Sequence, residues 1–227
     1  MKTFILSVCT LLLFNTTLIA QKSETIRVKG AEAKLFFARG HYKYPSFNRS
    51  RIYFKNGEPA SARVNYDYFT DNMQYIGEKN DTLMINNPAD IDYISVGLDS
   101  FFYETKWYEW VASSATARIG QRVTYQLISS DVVGAYGTSS PAINVESKSA
   151  LMYGSMLALD ENKEFTFRKE TTYYVSANDK NHFVLANAKN MGKLFSKKNI
   201  SGYISEKKLD LNKTDDLMDV FVFANKP

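Results

Sequence analysis

The chain has 227 residues, 44% of them hydrophobic, 23% charged and 14% aromatic, with a formal net charge of +4. That composition supports a globular core and excludes a collagen-like, disulfide-dense or intrinsically disordered chain. One Cys and two His leave little material for thiol or imidazole chemistry.

Lys2 precedes a nearly uncharged, mostly apolar run from Phe4 to Ala20, after which Gln21-Lys22-Ser23-Glu24 is abruptly hydrophilic. A positive start, an apolar stretch and a small final residue read as a secretory signal peptide over residues 1–20. The polar Asn15-Thr16-Thr17 argues against a permanent span, which takes about 20 strongly apolar residues. Cleavage is expected between Ala20 and Gln21. It would remove Cys9 and leave 27 basic and 24 acidic side chains, with no disulfide, no Cys-ligated metal and no cysteine nucleophile. Cys9 lies inside the apolar stretch, not at the cut, so no lipid anchor is expected. Residues 21–227 then form a single exported domain, placed in the periplasm, at the outer membrane or outside the cell.

Strand signals run from Ser23 to about Ile128. In Ala60–Tyr68 the apolar residues fall on every second position, with Ser61, Arg63, Asn65 and Asp67 between them. Period two predicts a strand with one buried and one wet face. Arg51–Lys55 leads into Asn56-Gly57, a tight-turn signal between two strands. Ile52, Phe54, Ala62, Val64 and Tyr66 are expected on the buried face. Further short strands are expected at 73–77, 82–85, 91–96, 101–103, 107–111 and 117–128. Their short connections predict an antiparallel meander, forming a sandwich or a partly open barrel.

Residues 131–149 lack a clear period and contain Gly, Ser and Pro, which reads as a long loop. Strands are expected again at 164–168 and 172–175. From about residue 187 the period becomes helical: Met191, Leu194 and Phe195 share a face, as do Leu217, Val220, Phe221 and Ala224. Thr214 is placed as an N-cap, with Asp215 and Asp216 at the positive end of the helix dipole. The fold class is therefore mainly β, with a short C-terminal helical segment.

The segment Asn56–Gly97 carries a glycine turn, an Asn-Tyr strand, a Met-containing strand, Asn-Asp-Thr-Leu, Asn-Pro and a strand ending in Gly. In this, and in Leu194–Phe221, the chain resembles uncharacterised secreted β-rich envelope proteins of Bacteroidota. The resemblance implies an envelope address. It implies no activity and no site residue.

Chemistry-bearing patterns are sparse. His41 and His182 have no second His or carboxylate at ligand spacing, and no zinc-protease, nucleophile-elbow, P-loop or EF-hand motif occurs. No catalytic residue, cofactor or metal ligand is assigned. Asp90 and Asp92 would share a strand face at a spacing a glycosidase could use, or form a solvated strand entrance. Asp160, Glu161 and Glu164 fit a turn. Arg27–Lys55 holds eight basic residues against Glu32, and Asn187–Lys208 holds six lysines against Glu206. These runs either complement acidic strands or form a basic face for an anionic envelope component. Phe101-Phe102-Tyr103 and Trp107-Tyr108-Glu109-Trp110 place large rings on both faces of their strands. One ring in each set must pack under the C-terminal helices or face a partner.

The sequence is thus read as an exported binding or interaction protein without catalytic activity. Its partner would be an envelope protein or glycan, held by Trp107, Tyr108 and Trp110 with help from Lys197 and Lys198. The alternatives are a carboxylate-dependent hydrolase of envelope polymers and a carrier of an apolar ligand. A nucleic-acid partner is not expected, because export removes the protein from it.

Overall fold

A computed structural model of the chain describes residues 22–133, 139–141, 163–178 and 182–226. Residues 1–20, expected to be a signal peptide, and parts of the 131–149 stretch lie outside these residues, as do Asp160 and Glu161.

Alternating sequence becomes one antiparallel sheet. Its strands are β1 (Lys22–Lys29), β2 (Asn48–Phe54), β3 (Ala60–Asp67), β4 (Asn72–Ile76), β5 (Thr82–Met84), β6 (Ile91–Val96), β7 (Asp99–Tyr103), β8 (Trp107–Ser113), β9 (Ala117–Val133), β10 (Ser139–Pro141), β11 (Lys163–Ala177) and β12 (Val184–Leu185). The order across the sheet is β1-β11-β9-β8-β7-β6-β2-β3-β4-β5, with β10 on β9 and β12 on β11. Two meanders, β2–β5 and β6–β9, join where β2 pairs with β6. The sheet is not closed, but it curls: Tyr125 N–H on β9 donates to the Tyr68 carbonyl just past β3, at 2.8 Å.

The β2–β3 hairpin keeps the expected inward face, but the expected wet face of β3 is wet only as far as Arg63, since Asn65 and Asp67 are buried among hydrogen-bond partners. Ile52, Val64 and Tyr66 lie in a buried cluster with Met73, Ile94, Phe101 and Trp107, and Phe54 and Ala62 pack against it. Arg63 is exposed. The turn differs from a tight Asn-Gly pair. Gly57 has φ of +132°, whereas Asn56 does not have positive φ, and the link spans Lys55–Pro59. The reason lies in β6: β2 leaves β3 after Ile52↔Ala60 and continues along β6 to Phe54↔Ile91.

The 131–149 stretch is not loop throughout. Asp131–Val133 extends β9 and pairs with β10, and Asp131 and Val132 also pair with β11. The two runs expected at 164–168 and 172–175 are one strand, β11. Its polar middle, Lys169–Thr171, stays extended because β9 and β1 bond it from both sides.

Helices cover one face of the long β9–β11 ribbon at two places. The short helix α1 (Gly30–Leu35) continues into a wider turn, Phe36–Gly40. It puts Phe36 and Phe37 on Tyr125, Phe165 and Phe167, with Phe36 and Phe167 stacked at 4.5 Å. At the other end, α2 (Ala188–Leu194), α3 (Ile200–Lys207) and α4 (Thr214–Asn225) bury Met191, Ile200, Leu217, Val220 and Phe221 against Ala117, Ile119, Tyr173 and Val175. Thr214 is not the N-cap of α4. Lys213 holds that position without a side-chain bond, and the Thr214 hydroxyl pairs with the Tyr173 hydroxyl at 2.6 Å. No helix among the described residues is long and apolar enough to cross a membrane.

Candidate functional site

The inward residues of β3 grow along the strand: Ala60, Ala62, Val64, Tyr66. Val64 and Tyr66 fill the core. The two alanines leave space at the other end, so the curled sheet opens there into a pocket of about 640 Å³. Its walls are Ile52 and Phe54 from β2, the two alanines, Tyr75 from β4, Ile91 from β6, and Ile85. Its rim carries Lys55, Asn56, Asn86, Asn87 and Asp90. Lys55 fixes that rim: its backbone N–H donates to the Asp90 carbonyl at 2.9 Å, and its Nζ donates to the Ala89 carbonyl at 2.7 Å. The pocket is apolar inside, amide-rich at the edge, and flanked by one cation and one anion.

The expected aromatic site divides between two faces. Trp107 is 1% exposed, inside the main cluster, and its Nε1–H donates to Asn72 Oδ1 at 3.2 Å. Tyr108 is 4% exposed and lies on the opposite face, stacked on Phe102 and Phe183. That outer ring set is covered by Phe183, not by the C-terminal helices. Glu104 pins the covering segment, accepting from Phe183 N–H at 3.0 Å and lying 3.2 Å from His182 Nδ1. Gly120 lies close below it: a Cβ there would sit 3.1 Å from Phe102 and 3.2 Å from Tyr108, so these side chains would have to shift by a few tenths of an ångström. Trp110 alone of the three reaches solvent, at 37% exposure, edge-on to Phe102 and beside the Arg118 guanidinium.

Lys197 is exposed and Lys198 half-buried, between α2 and α3. Trp110 sits opposite Gly120 on β9, whereas the helices pack on Ile119, the next residue along that strand. Successive strand residues face opposite ways, so Trp110 and the helical layer carrying the lysines lie on different faces of the sheet. Asp90 and Asp92 are both exposed, with Asp90 on the pocket rim.

The structure gathers two polar clusters that sequence spacing missed. In the first, Lys43 Nζ lies 2.5 Å from Glu109 Oε1 and 3.3 Å from Asp99 Oδ2, above the Phe101 ring. Tyr44 O–H donates to Asp99 at 2.6 Å. Burial pushes the Tyr44 hydroxyl above the usual tyrosine range, and the Asp99 hydrogen bond and charge add to this. Burial, then Glu109, does the same to Tyr68. In the second, the fully buried Asp67 accepts from the Phe69 and Thr70 backbone N–H groups, the Thr70 hydroxyl and Gln74 Nε2. His41 stands against it, its Nε2 3.9 Å from Asp67 Oδ1. No signal of order or spacing joins Lys43 to Glu109; the curl of the sheet does. Among the described residues no group of three or more His, Cys, Asp or Glu is arranged to hold a metal ion.

No protein-family model, curated protein or solved structure matches the chain.

Proposed function

We propose that the chain is an exported, non-catalytic binding protein of the cell envelope, and that it takes an amphiphilic ligand in the open end of its curled sheet. The pocket beside Ala60 and Ala62 carries this reading. Apolar walls favour a hydrocarbon or ring body, and the asparagines at the rim offer hydrogen bonds to a polar end. Lys55 and Asp90 lie on the same rim, so the ligand's polar end is uncharged or zwitterionic. Export is supported by the composition of residues 1–20. An apolar ligand in the sheet brings together the binding and carrier alternatives.

The test is titration of the exported chain with an environment-sensitive hydrophobic dye, followed by displacement with neutral and zwitterionic acyl amphiphiles. Displacement by these, lost in Ala62→Phe while the melting temperature holds, is the expected result. Dye binding that Ala62→Phe leaves unchanged would remove the pocket from the reading.

A further inference from the structure

The alternation that sends Ile52 and Val64 into the core sends other residues of the same strands outward. On β2 these are Arg49, Arg51 and Tyr53; on β3, Arg63; on β6, Tyr93. Register brings them together. Arg49 stands directly opposite Arg63, and Tyr53 stands opposite Tyr93. Arg51 stands between two serines, Ser61 on β3 and Ser95 on β6. All three arginines are exposed. The two tyrosine rings stack at 4.3 Å and 16°, and the Arg51 guanidinium lies 5.8 Å from the Tyr53 ring centre.

Directly opposed like charges destabilise an antiparallel pair, yet Arg49 and Arg63 are paired this way. Among the described residues none forms an ion pair with Arg49, Arg51 or Arg63; Arg63 donates to Asn80 Oδ1 at 3.0 Å. Asp92, exposed beside Tyr93, is the acidic neighbour on β6. A face with unneutralised guanidinium groups is suited to an anion from outside, because each guanidinium presents a planar fork to carboxylate or sulfate oxygens.

The surroundings decide what kind of anion. β2 is hydrogen-bonded on both sides, to β3 and to β6. An extended peptide therefore finds no free backbone group here and cannot add as a strand. Recognition has to run through side chains. Those side chains stand about 5 Å apart across strands and about 7 Å apart along them, a spacing that suits a chain with a charge on each repeat. The half-exposed tyrosine pair, its rings stacked on each other, offers ring edges and hydroxyls beside the guanidinium groups for contact with sugars.

We propose that the outward face of β2, β3 and β6 binds an acidic polysaccharide. Arg49, Arg51 and Arg63 hold its carboxylate or sulfate groups, and the Tyr53–Tyr93 pair contacts its sugars. This face is independent of the pocket, which opens on the inward side of the same strands.

The experiment measures binding of the exported chain to polygalacturonate, to a sulfated glycan, to neutral dextran, to polyglutamate and to duplex DNA. Binding to at least one of the acidic glycans, weakening with salt, and none to dextran is expected. Arg49→Ala with Arg63→Ala should weaken it about tenfold or more, since each removes a charge-assisted hydrogen bond. Arg51→Lys should weaken it less than Arg51→Ala, and Tyr53→Ser should weaken it at unchanged charge. The arginine variants should melt no lower than the parent, because an opposed like-charge pair is relieved. Ala62→Phe should bind the glycan as the parent does, which separates this site from the pocket. Polyglutamate or DNA bound as tightly as the glycans would overturn the assignment of partner. Arginine variants that bind like the parent, or that melt several degrees lower, would overturn the site.

Discussion

Arg122 on β9 grips Asp71 in the β3–β4 turn with two guanidinium hydrogen bonds, Nε to Oδ1 at 3.2 Å and Nη2 to Oδ2 at 2.5 Å. The two residues are 51 positions apart, and their bond ties the curl of the sheet. Tyr66 O–H joins from below, donating to Asp71 at 2.5 Å, and Lys106 stands 3.7 Å away. Burial works against the Arg122 charge, but the hydrogen bond and charge of Asp71 outweigh it and hold the guanidinium protonated. Arg122→Met should therefore cost about 3 kcal/mol, because it strands a largely buried carboxylate. Asp71→Asn should cost less. A double-mutant cycle in urea should return a coupling of about 1 kcal/mol or more; additive effects would mean that the pair does not tie the sheet.

The same cluster sets a pH limit. Burial first, then the charge and hydrogen bond of Asp71, raises the Tyr66 hydroxyl far above its ordinary value of 10.0. In the unfolded chain Tyr66 ionises above that pH, and in the folded chain it does not. Its contribution is whole below pH 10 and is lost as pH rises beyond it, at a limiting slope of about 1.4 kcal/mol per pH unit. Tyr66→Phe should flatten the alkaline fall in urea-unfolding stability. An unchanged slope would remove Tyr66 as its source.

Val64 is fully buried and its neighbour Arg63 is exposed. Val64→Asp should destabilise by several kcal/mol, since it buries an unpaired charge. Arg63→Ala should change stability by less than about 0.5 kcal/mol. Equal thermal shifts for the two would refute the register of β3.

Phe183 closes the outer ring set over Phe102 and Tyr108, with ring centres 4.8 and 5.0 Å away. Phe183→Ala should cost about 3 kcal/mol or more. It should also change the emission of Trp110, which rests on Phe102. Glu104→Gln should weaken the Phe183 N–H bond with a smaller effect. Hydrogen exchange at residues 182–185 reports both; unchanged protection would detach the segment from the rings.

Leu217 and Val220 of α4 are fully buried against the β9–β11 ribbon. Truncation after Lys208 should expose Ile119, Tyr173 and Val175, and the chain should melt lower or precipitate. Leu217→Ala should cost about 2–5 kcal/mol. A truncated chain that melts like the parent would make the helices an appendage.

Local pattern carried much of this fold. The alternation in Ala60–Tyr68 defines the inward face of β3, and the spacing of Leu217, Val220 and Phe221 defines the buried stripe of α4. Both follow from the repeat of the backbone, which is a property of neighbouring residues. The excess of basic residues in Arg27–Lys55 was also legible as composition. Its division was not: Lys43 turns in to Glu109, while Arg49 and Arg51 face outward. Trp107 and Trp110 are three positions apart and look alike in sequence, yet one is buried and the other is half in solvent. Asn65 reads as a wet-face residue, but it is 1% exposed. Its side chain bonds the backbone N–H and C=O of Tyr44 at 3.1 and 2.9 Å, filling the gap where residues 41–44 run beside β3.

By itself, then, the chain's order of residues determined most of the strands from β2 to β9, its C-terminal helices and the inward face of β3, because these depend on contacts a few residues apart. Tertiary structure alone decided the Arg122–Asp71 tie, the Phe183 cover, the Lys43–Glu109 pair and the pocket beside Ala60 and Ala62. The Phe183 cover needs a segment 79 residues from Glu104 to return over the outer face, and the others need the sheet to curl until distant strands meet. The curl is the sum of twist and packing over ten strands in succession, and no short segment contains it.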